Sequence, residues 1–299
     1  MPDPARPADP TDRRVIAMMN QKGGVGKTTT TVNVGAAMAA AGARVLLIDL
    51  DPQAHLTLSV GMEPGEMDRT NYDLFVDEGT TAMEVVREVE SIANLAVLPA
   101  ETNLAGIESE MAESVQAGTG QSILRDKCVD LFRQFDAVLI DCPPALGLLT
   151  VNALCAATEV IVPMQSHFLA MQGMSKLFET IGSVRQGINP TLRVSGVVLC
   201  MHEANTLLAG EIRAELDGFF GQAGEGDAWH QAEVFDPPVR RNIKLAEAPS
   251  FGQPVLAYAP ESNGAADYRK LAASILGAGR AAETPDAAPQ PRGSEQARG

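Results

Sequence analysis

Ten residues, Asn20-Gln21-Lys22-Gly23-Gly24-Val25-Gly26-Lys27-Thr28-Thr29, restrict what this chain can fold into more than any other segment. They follow an apolar strand pattern over Arg14–Met19 and open a helical one over Lys27–Ala41, the setting a phosphate-binding loop requires. Each residue type has a reason. Glycines at 23, 24 and 26 let the backbone curl until its N–H groups converge on phosphate oxygens, and the start of a helix adds a positive dipole. Val25 and Thr29 complete the cradle, Lys27 reaches the β- and γ-phosphates, and the Thr28 hydroxyl is placed to ligate Mg²⁺. The strict GxxxxGK[ST] pattern fails at its first glycine, where Gln21 stands, and a second lysine, Lys22, is present instead.

Two more strand ends carry carboxylates. The run Arg44–Ile48 leads into Asp49 and Asp51, followed by Pro52 and Gln53. A carboxylate there can orient an attacking water or respond to the γ-phosphate. The run Phe135–Ile140 delivers Asp141 to a strand's carboxyl end, where a Mg²⁺-bound water can meet it. Cys142, beside it, has no histidine nearby in sequence to activate it and reads as a packing residue.

Further strand patterns at Leu95–Leu98, Ala137–Ile140, Val160–Pro163 and Val194–Cys200 alternate with helical ones at Gln121–Phe132, Met171–Arg185, Ala209–Phe220 and Ala265–Leu276. Near-continuous Val/Ile/Leu runs suit parallel strands covered on both faces. The predicted fold is α/β, a doubly wound, mostly parallel twisted sheet with helices on both faces. One domain over residues 14–278 is expected. Residues 1–13 and the Pro/Gly-rich stretch 279–299 lack periodic apolar positions and are expected to be disordered. With 45% hydrophobic residues but only 4% aromatic ones, aliphatic side chains must make the core. The four cysteines are far apart and form no CxxC, so reduced buried thiols are expected. Neither a signal peptide nor a transmembrane span is legible, which leads to the expectation of a cytoplasmic protein.

Together these segments resemble the ParA/Soj family of partition ATPases. The phosphate loop matches that family's deviant Walker A form, Arg44–Gln53 ends in its DxDPQ segment, and Asp236–Ser250 is similar to its PRNxxLxEAPSxG segment. The resemblance covers about residues 14–276. It implies a weak ATPase, stimulated by a ParB-like activator, with ATP and Mg²⁺ as cofactors. It implies an ATP-sandwiched homodimer in which Lys22 reaches the partner's phosphates, Asp51 serves hydrolysis and neighbours the metal with Thr28 and Asp141, and Asp49 lies beside the same network. Pro249, in the segment Pro249–Pro254, becomes a candidate wall of the base pocket.

The family binds double-stranded DNA non-specifically in the ATP state, which implies nucleoid association and segregation of chromosome or plasmid DNA. Carried over, Arg240, Arg241 and Lys244 are the DNA-binding candidates, and Arg213 on the next helix is a possible substitute for a missing arginine. Relatives place that arginine after the strand corresponding to Val194–Cys200; this chain has Asn205, with Glu203 close by. A net charge of −15 argues against uniform coating of nucleic acid but not against a local basic patch. About a dozen residues precede the first strand, too few for a helix-turn-helix, so operator-specific binding is not expected.

Other readings stay open at this point. The cargo could be a protein cluster instead of DNA, and a chain that has lost turnover could still act as a nucleotide-gated scaffold. A MinD-like membrane switch would need a basic amphipathic C-terminal helix, and the Pro/Gly-rich tail has no apolar face. An iron–sulfur ATPase would need suitably spaced thiolates. A capsule-type tyrosine kinase would need a tyrosine-rich tail, but the tyrosines are Tyr72, Tyr258 and Tyr268.

Overall fold

The computed structural model describes residues 13–166, 170–203 and 207–282. Eight strands form one sheet: β1 Arg14–Met18, β2 Val45–Asp49, β3 Arg87–Glu88, β4 Leu95–Leu98, β5 Ala137–Asp141, β6 Glu159–Gln165, β7 Arg193–Cys200 and β8 Glu233–Val234. Their order is β3-β4-β2-β5-β1-β6-β7-β8, parallel except for the β3–β4 pair at one edge. The doubly wound fold is therefore as the sequence implies.

The strand pattern explains the layers. Alternate residues of each central strand enter opposite cores: Val15, Ala17, Leu46, Ile48, Val138 and Ile140 on one face, Ile16, Met18, Val45, Leu47, Ala137 and Leu139 on the other. Both sets are apolar, so a strand reads as a continuous aliphatic run. The first face carries Leu124, Cys128, Leu154, Phe178 and Leu216 from four helices; the second carries Val34, Met38, Leu271 and Ile275 from the helices Lys27–Ala40 and Asn263–Ala282. All four cysteines are free and buried.

The helix Leu148–Ala156 has no counterpart among the predicted helices. Leu148, Leu149, Thr150, Asn152, Ala153, Leu154 and Cys155 are all buried, so it has no polar stripe for periodicity to detect. β3 and β8, two residues each, are too short for a period-2 signal. The last helix runs to Ala282, past Gly279 where the expected tail begins. Residues 1–12 and 283–299 of the expected disordered ends, and Asn205, lie outside the described residues.

At the amino edge of the sheet, Glu159 is fully buried and accepts from Arg14 Nε at 2.5 Å and Nη2 at 2.8 Å, with Arg193 3.4 Å away and the Ser195 hydroxyl as a further donor. Arg14 also donates to the carbonyl of Ile275 and so ties β1 to the last helix. These contacts hold the Glu159 carboxyl below its usual range despite burial. None of the catalytic candidates is at this edge; they collect at the carboxyl edge, where β1 separates strands running in opposite spatial order, the position at which doubly wound sheets bind ligands.

Candidate active site

The loop leaves β1 and turns back over the end of β7. Gly24 and Gly26 adopt left-handed φ values of 72° and 96°, and a Cβ on Gly26 would lie 3.3 Å from both Cβ and Sγ of Cys200. A larger residue is thus strained by the backbone, and Cys200 would have to give way to admit it. Asn20 anchors the start of the loop: its Nδ2 donates to the Pro163 carbonyl at 2.9 Å and its Oδ1 accepts the Lys22 N–H at 2.9 Å. Gln165 Nε2 donates to the Gly24 carbonyl at 2.8 Å. The Gly24 carbonyl is thereby turned away to Gln165, which suits a loop whose N–H groups are to meet an anion.

The two lysines are placed differently. Lys27 is buried, 7% exposed, with Nζ 3.4 Å from the Lys22 carbonyl. Lys22 is exposed, and its side chain forms no ion pair among the described residues.

Register brings the carboxylates together. Asp49 and Asp141 are direct Cα partners across β2 and β5. Asp141 accepts the Thr28 hydroxyl at 2.6 Å on Oδ2 and the Thr31 hydroxyl at 3.2 Å on Oδ1. Burial, and then the charge of Asp49, push the Asp141 carboxyl up to about 8. Asp49 is completely buried; its Oδ2 accepts the Thr57 N–H at 2.9 Å and hydroxyl at 2.8 Å, and its Oδ1 accepts the Asp51 N–H at 3.1 Å. Burial raises it to about 7, against the lowering effect of those donors.

Asp51 is half-buried, and among the described residues its carboxylate accepts only the Gln53 N–H, at 3.0 Å on Oδ1. The two aspartates of this segment are therefore unequal. Asp49 has both oxygens engaged within the strand–helix turn, whereas Asp51 Oδ2 has no hydrogen-bond partner among the described residues. Thr31 and Thr57, which sequence reading did not single out, hold the two buried carboxylates. The i, i+3 spacing of Thr28 and Thr31 on one helix face was the available signal for the first.

The donor set fits a magnesium-bound nucleoside triphosphate: a glycine-rich N–H cradle at a helix start, one buried ammonium, and a hydroxyl–carboxylate pair 2.6 Å apart at the strand edge. Thr28 and Asp141 would hold the metal, directly or through water. Among the described residues no hydrogen bond joins Asp51 to either, although its charge reaches the Asp141 carboxyl and helps raise it.

Pro249 is exposed on the turn Ala248–Phe251, and the helix that follows it, Val255–Tyr258, is tied to the phosphate-loop helix by a residue sequence reading missed. Asn33 donates to the Thr29 carbonyl at 2.8 Å and accepts the Val255 N–H at 2.7 Å. The same turn rests on the segment after the helix His55–Ser59: a Cβ on Gly252 would lie 2.7 Å from Cα of Gly61. Phe251, 62% exposed, stacks on Tyr258 with ring centres 4.8 Å apart.

The DNA-binding candidates lie beyond β7 and β8, and every one has an acidic partner. Arg213 makes a two-pronged pair with Asp236 at 2.6 and 2.7 Å. Arg240 does so with Asp267 at 2.9 and 2.7 Å. Lys244 donates to Glu247 at 2.8 Å, and Arg241 lies 3.3 Å from Glu203. His202 bridges to Arg240 in the backbone, and Arg213 is near enough to help hold its pKa down, after burial. The cations thus belong to one region, but a charge-balanced one.

Fold and site together define a P-loop ATPase: a doubly wound sheet with a glycine-rich, two-lysine phosphate loop at its switch point and two carboxylates at the adjoining strand ends. A family model described as an AAA domain matches residues 13–194. The chain belongs to the ParA/Soj family within that class. It is 37% identical to the sporulation initiation inhibitor protein Soj of Bacillus subtilis over 89% of this chain and 99% of that one. It is 39% identical to the chromosome partitioning protein ParA of Caulobacter vibrioides, over 88% and 94%. Among solved structures, a cobyrinic acid a,c-diamide synthase from Mycobacterium smegmatis with bound ADP and magnesium superposes with a TM-score of 0.73 at 32% identity, covering 88% of this chain and 94% of that one. The last carries a different activity name on the same fold, so function has to be argued from the site and the full-length relatives.

Proposed function

We propose that the chain is an ATP-dependent dimerising switch that binds DNA non-specifically in its ATP state and, with a ParB-like activator, segregates chromosome or plasmid DNA in the cytoplasm, on the nucleoid. The observation that carries this reading is the division of labour between the lysines. Lys27 is buried within its own phosphate loop, while Lys22 is fixed through its main chain by Asn20 and is exposed, with no ion pair among the described residues. A second lysine so placed has work to do only when another surface closes over the loop, and the full-length relatives named Soj and ParA are partition proteins.

The residues then take distinct roles. The Gly23–Thr29 backbone and Lys27 bind the phosphates, and Pro249 flanks the base. Lys22 neutralises charge on the partner subunit's transferring group, as an arginine finger does. Asp51 positions the attacking water through Oδ2. Asp49, held by Thr57, keeps that turn in register with β5. Mg²⁺ held by Thr28 and Asp141 would supply charge neutralisation at the β- and γ-phosphates. Loss of the γ-phosphate contacts on hydrolysis releases dimer and DNA together, a population shift between two assemblies. Among the described residues no helix is long and apolar enough to cross a membrane.

Mass measurement by light scattering tests the switch. Wild type is expected to double in mass with ATP but not with ADP, and Lys27→Ala is expected to stay monomeric in both. A mass unaffected by ATP contradicts the proposal.

A further inference from the structure

The charge pairing of the basic region leads beyond the function proposed above, on whose DNA-binding reading it rests. Four cations at the carboxyl edge of β7 and β8 face five carboxylates, because Asp217 lies 3.8 Å from Arg213 in addition to Asp236, so these pairs leave no net positive charge. These acids differ in setting. Asp267 comes from the last helix and is nearly buried, its side chain 6% exposed. Asp236 and Glu247 are open to solvent, at 60% and 37%. Glu247 accepts from the Tyr258 hydroxyl at 3.0 Å as well as from Lys244, and Lys244 lies over the Tyr258 ring at 5.6 Å, so this pair is positioned and not incidental.

We infer that Asp236 and Glu247 are affinity-setting residues that compete with DNA phosphates for Arg213 and Lys244 and hold DNA binding below what the cations alone would give. The physics is direct. A phosphate approaching Arg213 meets a guanidinium whose fork is already occupied in the bidentate geometry that phosphate itself would use. It must displace the carboxylate or share the cation beside a like charge a few ångströms away. Exposed ion pairs are individually weak, so the competition lowers affinity without abolishing it. A track protein that must let go of DNA at each step benefits from such a ceiling. In an acidic chain of net charge −15, the same carboxylates restrict binding to densely charged polyanions.

Asp236→Asn and Glu247→Gln test this, because both groups are solvent-exposed and both substitutions retain size and hydrogen-bonding capacity. Asp130→Asn is the control: Asp130 is exposed, pairs with Arg133 at 2.5 Å, and lies near the amino end of β5, at the opposite edge of the sheet. Affinity for a short random-sequence duplex is measured with ATP over a salt series. Each variant at the basic region is expected to bind about 3- to 10-fold more tightly than wild type near 0.1 M salt, with a log–log salt slope steeper by up to about 0.9 per freed cation. Asp130→Asn is expected to match wild type. Equal affinity of wild type and both variants overturns this inference while leaving DNA binding intact. An equal gain in Asp130→Asn also overturns it, since bulk charge then explains the effect. No binding by any protein in any nucleotide state overturns the DNA reading and this inference with it.

Discussion

Asp49 and Asp141 sit opposite each other on adjacent parallel strands, both buried, and the charge of Asp49 adds to the rise in proton affinity that burial gives Asp141. Two carboxyls at about 7 and about 8 bind protons in the folded protein that they release on unfolding, where a carboxyl titrates near 4.

The sign of the pH dependence follows. Between about pH 4 and pH 8 the native state holds more protons than the unfolded one, so stability falls as pH rises. The nucleotide-free protein is expected to lose several degrees of Tm between pH 6 and pH 8.5, and Asp141→Asn to flatten that slope. Addition of Mg²⁺ and ATP, which favours the ionised carboxylate, is expected to restore most of the loss at pH 8.5. A Tm that rises over the same range in the nucleotide-free protein would falsify the burial argument.

Asp51 offers a cleaner separation of binding from chemistry, because among the described residues its carboxylate bonds no other side chain. Asp51→Ala is expected to bind ATP within about 3-fold of wild type while kcat falls at least 100-fold, roughly 2.7 kcal/mol of transition-state stabilisation. The variant should accumulate as the ATP dimer. Normal turnover by Asp51→Ala would remove this residue from the water-positioning role.

Glu159 tests the amino edge. Glu159→Gln leaves Arg14 buried and without its charge partner, which costs about 3–5 kcal/mol in comparable buried pairs. Because the folded pKa of Glu159 is depressed, the wild-type contribution is present above the unfolded value and is lost as pH falls through the folded one. Denaturant unfolding at neutral pH should show the loss, with ATP affinity per folded molecule unchanged. A variant as stable as wild type would mean that Arg14 is satisfied by the Ile275 carbonyl and water alone.

What the sequence could reveal depended on whether the signal was local. The phosphate loop, the strand ends carrying Asp49 and Asp141, and the core strands are contiguous runs, so their chemistry and their period are visible in one stretch. Thr57 and Asn33 were not legible as site residues. Thr57 acts through a turn eight residues after Asp49, and Asn33 reaches Val255 across 222 positions. Charge was the least legible property. Arg240, Arg241 and Lys244 read as a basic cluster because they are adjacent, whereas the neutralising Asp267 arrives from a helix that only the fold places beside them. The helix Leu148–Ala156 escaped for a different reason, since burial on all sides erases the polar stripe by which helices are recognised.

The central claim is that ATP closes two subunits through Lys22 and thereby creates a DNA-binding surface. The most direct measurement is the affinity of wild type and Lys22→Ala for random-sequence duplex DNA with ATP, with ADP and without nucleotide, over a range of salt. The account predicts salt-sensitive binding by wild type with ATP alone and at least a 10-fold loss in Lys22→Ala, whose ATP affinity stays near normal. Equal DNA affinity in all three nucleotide states, or an unimpaired Lys22→Ala, would contradict it.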